Sequence, residues 1–354
     1  MNKTGIGKPD AARVLWIPVS GGAGVGEYER CLLLANALGA RRPDIKQRFV
    51  IAARAPYAAR VPFESVRVAD STTRANTEVA AAITEFAPHL VIFDGGGRVR
   101  QLAAARAQGA HTLVIGSRES AVRRSLGLRR ARRIDRLIVI GTDARRAVQA
   151  PFARALRRLF GAPAPLLLDS VFEPPLPMRA VLERHGLERD RFVLLCAGGG
   201  AEPLAGATSG EVYAEVAAQL ADRGEERVVC VGRTPSRSAR VRALDWVPNG
   251  ELMTLIEGAR LSVLAGGSLL TQAVTLGAPV VAAALKPEQQ VRVAALAEAG
   301  AIVRVEPDRT ALTARAVALL DDASARAALA RHAQALGWRN GLDALLEALE
   351  GLLT

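Results

Sequence analysis

The chain has 354 residues, enough for two domains that each bury an ordinary core. Half of those residues are apolar, yet no apolar run approaches the roughly 20 residues of a membrane-spanning helix, which excludes an integral helical membrane protein. The 47 Lys and Arg outnumber the 35 Asp and Glu, and the formal charge of +12 favours anionic partners: nucleotides, phospholipids or nucleic acid.

Taken in chain order, Arg13–Ser20 is an apolar run that ends in the glycine cluster GGAGVG, and helical spacing follows from Glu27. The pattern recurs: a strand from Arg48, a helix over Asn76–Phe86, the strand HLVIFD ending at Asp94, a Gly-rich turn, a helix from Val99, and strands HTLVIGS and RLIVIG. Proline is concentrated between Pro163 and Pro177, where it stops both helices and central strands, and this is the expected linker. The pattern then restarts with RFVLLCAGGG, a helix from Ser209, RVVCVG, a helix over Gly250–Gly258, LSVLAGG, a helix opening at Ser268, and PVVAAAL. Strands that alternate with helices in this way make parallel βαβ units, so the fold class is α/β with two Rossmann-like parallel-sheet domains. The expected division is 1–165 for the N-terminal domain, 166–180 for the linker, 181–335 for the C-terminal domain, and 336–354 for a last helix returning to the first domain.

Cys31, Cys196 and Cys230 show no zinc or redox spacing and are expected to be buried thiols. With His89, His111, His185 and His332 equally scattered, no protein-bound metal or resident cofactor is expected. The N-terminal segment lacks the apolar core of a secretory signal, which leads to a cytoplasmic expectation.

Ligands of open α/β sheets bind at the carboxyl ends of the strands, so the turns carry the candidate sites. In the first turn, Gly24 and Gly26 bring backbone amides close to a ligand, with Glu27, Tyr28 and Arg30 beside them. A dinucleotide site is disfavoured by the glycine spacing and by Arg54, which ends the next strand. Glu27 and Asp94 are the two candidates for a general base, and the alternative for Glu27 is simply to complement the helix dipole. In the second half, Gly266, Gly267, Ser268 and Leu269 open a helix whose free amides suit a diphosphate, with Thr271 and Gln272 one turn on. The alternative for Ser268 is a plain N-cap. Gln289 and Gln290 offer two amides for sugar hydroxyls, Gly198, Gly199 and Gly200 let backbone approach phosphates, and Arg233 follows a strand as a cation for a leaving diphosphate.

These motifs, in this order, resemble the GT-B family, which includes the N-acetylglucosaminyltransferase that makes the peptidoglycan lipid intermediate and the nucleotide-sugar hydrolase of pseudaminic acid synthesis. Gly24–Ala35 is similar to the hydrolase's G-x-G-H-x-x-R-C, with Arg30 and Cys31 matching and Glu27 standing where that family has its catalytic histidine. Ala265–Gln272 is similar to the family's G-G-[ST]-x-x-x-E, with Gln272 in place of the ribose-binding acid, and Gln289-Gln290 matches its donor-sugar Q-Q. The resemblance implies a metal-independent glycosyltransferase that uses a nucleotide-sugar, UDP-linked by preference, and an acceptor bound against the N-terminal domain. A nucleotide-sugar hydrolase or epimerase would share the donor site. A non-catalytic binding protein is the third reading, using the arginine-rich segment Arg118–Arg136, which has no aromatic residue for stacking bases and so suits an interfacial helix better than a nucleic-acid groove. Under the glycosyltransferase reading the same segment would hold the enzyme against an anionic membrane near a lipid-linked acceptor, and the alternative is a solvated basic helix.

Overall fold

The computed structural model describes residues 11–19, 25–151, 164–204, 206–224, 227–232 and 238–353. The first half runs β1 (Arg13–Pro18), α1 (Gly26–Arg41), β2 (Lys46–Ala52), β3 (Glu64–Val68), α2 (Asn76–Phe86), β4 (Leu90–Asp94), α3 (Val99–Ala107), β5 (His111–Gly116), α4 (Glu119–Ser125), α5 (Leu128–Ala131), β6 (Arg136–Ile140), α6 (Thr142–Gln149) and β7 (Leu166–Leu168). Its sheet has the order β3-β2-β1-β4-β5-β6-β7, and every neighbouring pair is parallel. The second half contains α7 (Met178–Arg184), β8 (Phe192–Cys196), the short hairpin β9 (Pro203–Leu204) and β10 (Ala207–Thr208), α8 (Ser209–Asp222), β11 (Arg227–Val231), β12 (Val241–Leu244), α9 (Asn249–Gly258), β13 (Leu261–Ala265), α10 (Ser268–Thr275), β14 (Val280–Ala283), α11 (Pro287–Glu298), β15 (Val303–Val305), α12 (Arg309–Asp321), α13 (Ala323–Ala335) and α14 (Leu342–Glu350). Its six-stranded sheet, β12-β11-β8-β13-β14-β15, is again parallel throughout. The protein is thus two parallel-sheet α/β domains. The middle strands are covered on both faces, so β4 and β8 bury all five of their residues and read as continuous apolar runs rather than alternating ones.

The stretch expected as a linker opens instead with β7, which pairs with β6 through Ile138 and Leu166 and forms the edge of the first sheet. The crossing follows it, and the returning chain lies alongside: Ser170 bridges to Asn340, whose Nδ2 donates to the Phe172 carbonyl at 2.7 Å. Beyond that contact α14 packs on the first domain, where Leu342, Leu345, Leu346 and Leu349 are buried in one core with Leu34 and Leu38 of α1 and Trp16 of β1. Arg41 of α1 pairs with Asp343 and Glu350 along the same seam.

The single interfacial helix expected over Arg118–Arg136 is not formed. Gly127 separates α4 from α5, and Arg136 opens β6, so the segment is two short helices and a strand end. Among the described residues no helix is long and apolar enough to cross a membrane, and all three cysteines are buried thiols.

Leu345 is completely buried between α1 and the first sheet. Leu345→Ala is expected to cost about 2–5 kcal/mol by loss of transfer energy and creation of a cavity, read as a lower urea midpoint of unfolding.

Candidate functional site

Because every strand of the seven-stranded and the six-stranded sheet runs the same way, the strand-to-helix turns of a domain collect at one edge, and the two edges face each other across a cleft of about 1330 Å³. A pocket for one small ligand is about 300–1,000 Å³, so there is room here for more than one. The first domain contributes Gly26, Glu27, Arg30, Arg98 and Arg118; the second contributes Gly198, Trp246, Gly267, Gln272, Lys286 and Gln289.

On the second domain, β13 delivers its chain to Gly267, which is the N-cap of α10. No side chain caps that helix and no acidic residue stands in its first turn, so its first amides are left for a ligand. Ser268 is therefore the first helical residue rather than the N-cap, and it is exposed at the cleft with Leu269 beside it. A Cβ built on Gly267 would meet no protein atom within 4 Å, which shows how open the space over this helix end is. Thr271 lines the cleft, but its hydroxyl donates back to the Ser268 carbonyl at 2.7 Å. Gln272 also lines the cleft, with its Nε2 donating to the Val171 carbonyl at 2.9 Å. Gly198 and Gly199 face the cleft; Gly200, with φ of +70°, does not, and its carbonyl accepts from the Gly210 amide at 2.9 Å. Lys286 and Glu202 form an ion pair on the wall.

The two glutamines expected to act together do not. Pro287 starts α11, and adjacent residues on a helix point about 100° apart. Gln289 faces the cleft, where its Oε1 accepts the Leu285 amide at 2.8 Å; Gln290 is exposed elsewhere, near Arg304. Gly266 is likewise a packing glycine, because a Cβ there would lie 2.6 Å from Val293 Cγ2. Gly24 and Arg233 lie outside the described residues.

On the first domain, α1 presents its own N-terminus to that of α10, so closely that a Cβ on Gly26 would stand 3.7 Å from Ser268 Oγ. Glu27 and Glu29 in its first turn offset the dipole. Glu27 lines the cleft and accepts from Arg118 Nη2 at 2.8 Å. Tyr28, expected on the acceptor side, turns inward: it is buried and stacks on Tyr57 at 3.7 Å. Asp94 also differs from a cleft-facing base. It is fully buried at the end of β4, and Arg30 donates to both its oxygens, Nε at 2.7 Å and Nη2 at 2.6 Å. Burial pushes the Asp94 carboxyl up to about 6 against the opposing pull of Arg30, and Glu27 adds to the rise.

Sequence reasoning missed Trp246 and Arg292 here, and named Arg118 only as the start of the arginine-rich segment. Trp246 is 46 % exposed, lines the cleft just beyond β12, and is one of only three tryptophans, so its exposed indole face is available to a planar ligand. Arg292 of α11 reaches across to Asp143 Oδ2 at 3.0 Å, and Arg118 stands 3.9 Å from Glu288, so ion pairs bridge the two domains. An exposed Trp between elements and long-range pairs leave no periodic trace in sequence.

No protein-family model and no curated protein sequence matches the chain. Solved structures do. UGT2 of Phytolacca americana, complexed with UDP-2-fluoro-glucose and pterostilbene, superposes with a TM-score of 0.64 at 12% identity, covering 97% of this chain and 100% of that one. Arabidopsis thaliana UGT89C1, complexed with UDP, gives 0.61 at 12% identity over 97% and 99%. A protein assigned as a UDP-N-acetylglucosamine 2-epimerase from Listeria monocytogenes gives 0.58 at 14% over 90% of both chains. The fold is therefore GT-B.

Arg30→Ala would leave the buried Asp94 carboxylate unpaired, and is expected to destabilise the protein by about 3–5 kcal/mol. In denaturant titrations, adding Asp94→Ala to that variant should recover a large part of the loss, since both charges are then gone.

Proposed function

We propose that this protein is a glycosyltransferase that moves a sugar from a nucleoside-diphosphate sugar, UDP-linked by preference, to an acceptor hydroxyl. The observation that carries the reading is the uncapped, glycine-opened N-terminus of α10 facing the cleft, a helix end suited to a diphosphate. Trp246 would stack on the base, and Gln272 and Gln289 would meet ribose and sugar hydroxyls with the amide atoms that their backbone contacts leave over. UDP comes first among nucleotides because two of the similar structures were solved with UDP or a UDP-sugar analogue.

Glu27, rather than Asp94, is the base in this proposal, because it lines the cleft while both Asp94 oxygens are held by Arg30. Glu27 takes the proton of the acceptor hydroxyl as that oxygen bonds to the anomeric carbon. The bond from that carbon to the phosphate oxygen breaks, and its electron pair leaves with the diphosphate. The amides of Ser268 and Leu269 meet the developing charge, so the protein supplies this stabilisation without a metal. Arg30 and Asp94 act as positioning residues under α1, and Arg118 orients Glu27. If water replaced the acceptor, or the reaction occurred within the sugar ring, the same donor site would serve a hydrolase or an epimerase; the likeness to the Listeria protein supports keeping that reading, and product analysis separates the three.

The test is calorimetric titration with UDP, dTDP, GDP and CMP. One of them is expected to bind, and Gly267→Val, whose side chain projects only into the cleft, is expected to weaken it at least tenfold with an unchanged melting temperature; equal affinity in the variant would remove α10 from the donor site. Glu27→Gln should lower kcat about 10²–10⁴-fold at unchanged nucleotide affinity. Full turnover by that variant would reject Glu27 as the base.

A further inference from the structure

Resting on the glycosyltransferase reading, we propose that Arg292 is a positioning residue of the donor site: anchored on the first domain by Asp143, it holds the Gly266–Gly267 peptide so that the Gly267 amide joins those of Ser268 and Leu269 in binding the donor diphosphate. The turn itself shows why that peptide needs a holder. On one side of it the Gly266 amide donates to the Ala283 carbonyl at 2.8 Å, and on the other the Gly267 carbonyl accepts from the Leu270 amide at 3.2 Å. The peptide between these two anchors has a glycine at each end, so no Cβ limits its rotation. Its carbonyl, that of Gly266, accepts from Arg292 Nη1 at 3.2 Å, while among the described residues the Gly267 amide has no acceptor. The carbonyl and N–H of a trans peptide point opposite ways, so a carbonyl turned to Arg292 turns the Gly267 amide to the other side of the peptide, and Gly267 lines the cleft.

What aims Arg292 is the first domain. Its Nη2 donates to Asp143 Oδ2 at 3.0 Å and to the Ser117 carbonyl at 3.4 Å, from the first turn of α6 and from the residue after β5. The Arg292 and Asp143 side chains are each only 10 % exposed, so this pair is largely removed from water. One planar guanidinium therefore spans a carbonyl of the second domain and a carboxylate of the first, which fixes its direction at both ends. The number of bonds is not what the arrangement maximises: among the described residues Arg292 Nε and Asp143 Oδ1 are buried without a partner. Buried polar atoms left in that state call for an explanation, and holding the guanidinium in one direction supplies it.

Two simpler roles account for less. A plain tie between the domains needs Asp143 and Ser117 but no bond to the Gly266 carbonyl, one residue before the N-cap of α10. A bare cation waiting for a diphosphate would keep its fork free, yet both terminal nitrogens of Arg292 are already engaged, Nη1 by Gly266 and Nη2 by Asp143 and Ser117. Acting through the peptide uses every one of these bonds. Asp143, which belongs to the first domain, thereby shapes the diphosphate site of the second without touching the ligand.

The test follows the Gly267 amide by NMR in protein carrying isotope-labelled glycine, with UDP as the probe. Its resonance is identified by its loss in Gly267→Ala, a substitution that the open space over this residue admits. In the wild type that resonance is expected to move downfield on addition of UDP, as an amide does when it donates to a phosphate oxygen. In Asp143→Ala and in Arg292→Lys the shift is expected to vanish, and calorimetry to show UDP bound at least tenfold more weakly by protein still folded at the titration temperature. Lysine keeps the charge but lacks the fork that reaches both partners, and this variant carries the test alone if Asp143→Ala does not fold. The proposal is overturned if both variants lose only melting temperature while UDP affinity and the Gly267 shift are unchanged, if Arg292→Lys binds UDP as the wild type does, or if Asp143→Ala binds it more tightly. It is also overturned, with the donor reading intact, if UDP binds to the wild type without moving the Gly267 resonance. Failure of UDP to bind at all would strike the donor reading, and this inference with it.

Discussion

The cleft and its chemistry follow from the parallel direction of the strands in the two large sheets. A parallel strand can be followed by another only through a crossover on the sheet face, so each strand in turn ends at the same edge of its domain. Two such edges placed face to face make a cleft whose walls are strand-to-helix turns, and those turns are the parts of the chain free to carry polar chemistry while the strands stay apolar. The cleft-lining residues Gly26, Arg98 and Arg118 on one side, and Gly198, Trp246 and Gly267 on the other, all lie at or just beyond strand ends. The returning helix α14, sealed onto α1 by four buried leucines, ties the end of the chain to the domain in which it began.

Within the cleft the two domains are electrostatically unlike. Both present a helix N-terminus, but α1 carries Glu27 and Glu29 in its first turn, whereas α10 carries no acid and no capping side chain. The α10 end therefore keeps its pull on an anion, and the α1 end offers a carboxylate. Arginine joins the two: Arg118 between Glu27 and Glu288, and Arg292 between the Gly266 carbonyl and Asp143. Such pairs form only when the domains are close, so the charges that line the site also hold its walls in register.

Much of this was legible in the sequence because apolar strands, glycine turns and helical spacing are local signals. The strands β1, β4, β8 and β13, and the turns after β4, β8 and β13, could be placed within a residue or two, and with them Glu27, Gly267, Ser268 and Gln289. What escaped depends on which way a side chain turns. Tyr28 follows Glu27 by one residue and points into the core against Tyr57; Gln290 follows Gln289 and points away from the cleft, because residues 287–298 are helix rather than loop. Asp94 ends a strand at the right edge, yet Arg30 covers it from above. The arginine-rich segment had the composition of one long amphipathic helix, but Gly127 breaks it. Trp246 and Arg292 gave no signal, since their importance lies in contacts across about half the chain or across the cleft.

The central claim is that α10 holds a nucleoside diphosphate, and the most direct measurement is a crystal structure of the protein soaked with UDP. The account predicts phosphate oxygens within hydrogen-bond distance of the Ser268 and Leu269 amides and the uracil ring against the indole of Trp246. UDP seated on the first domain, or with its phosphates away from the α10 amides, would contradict it.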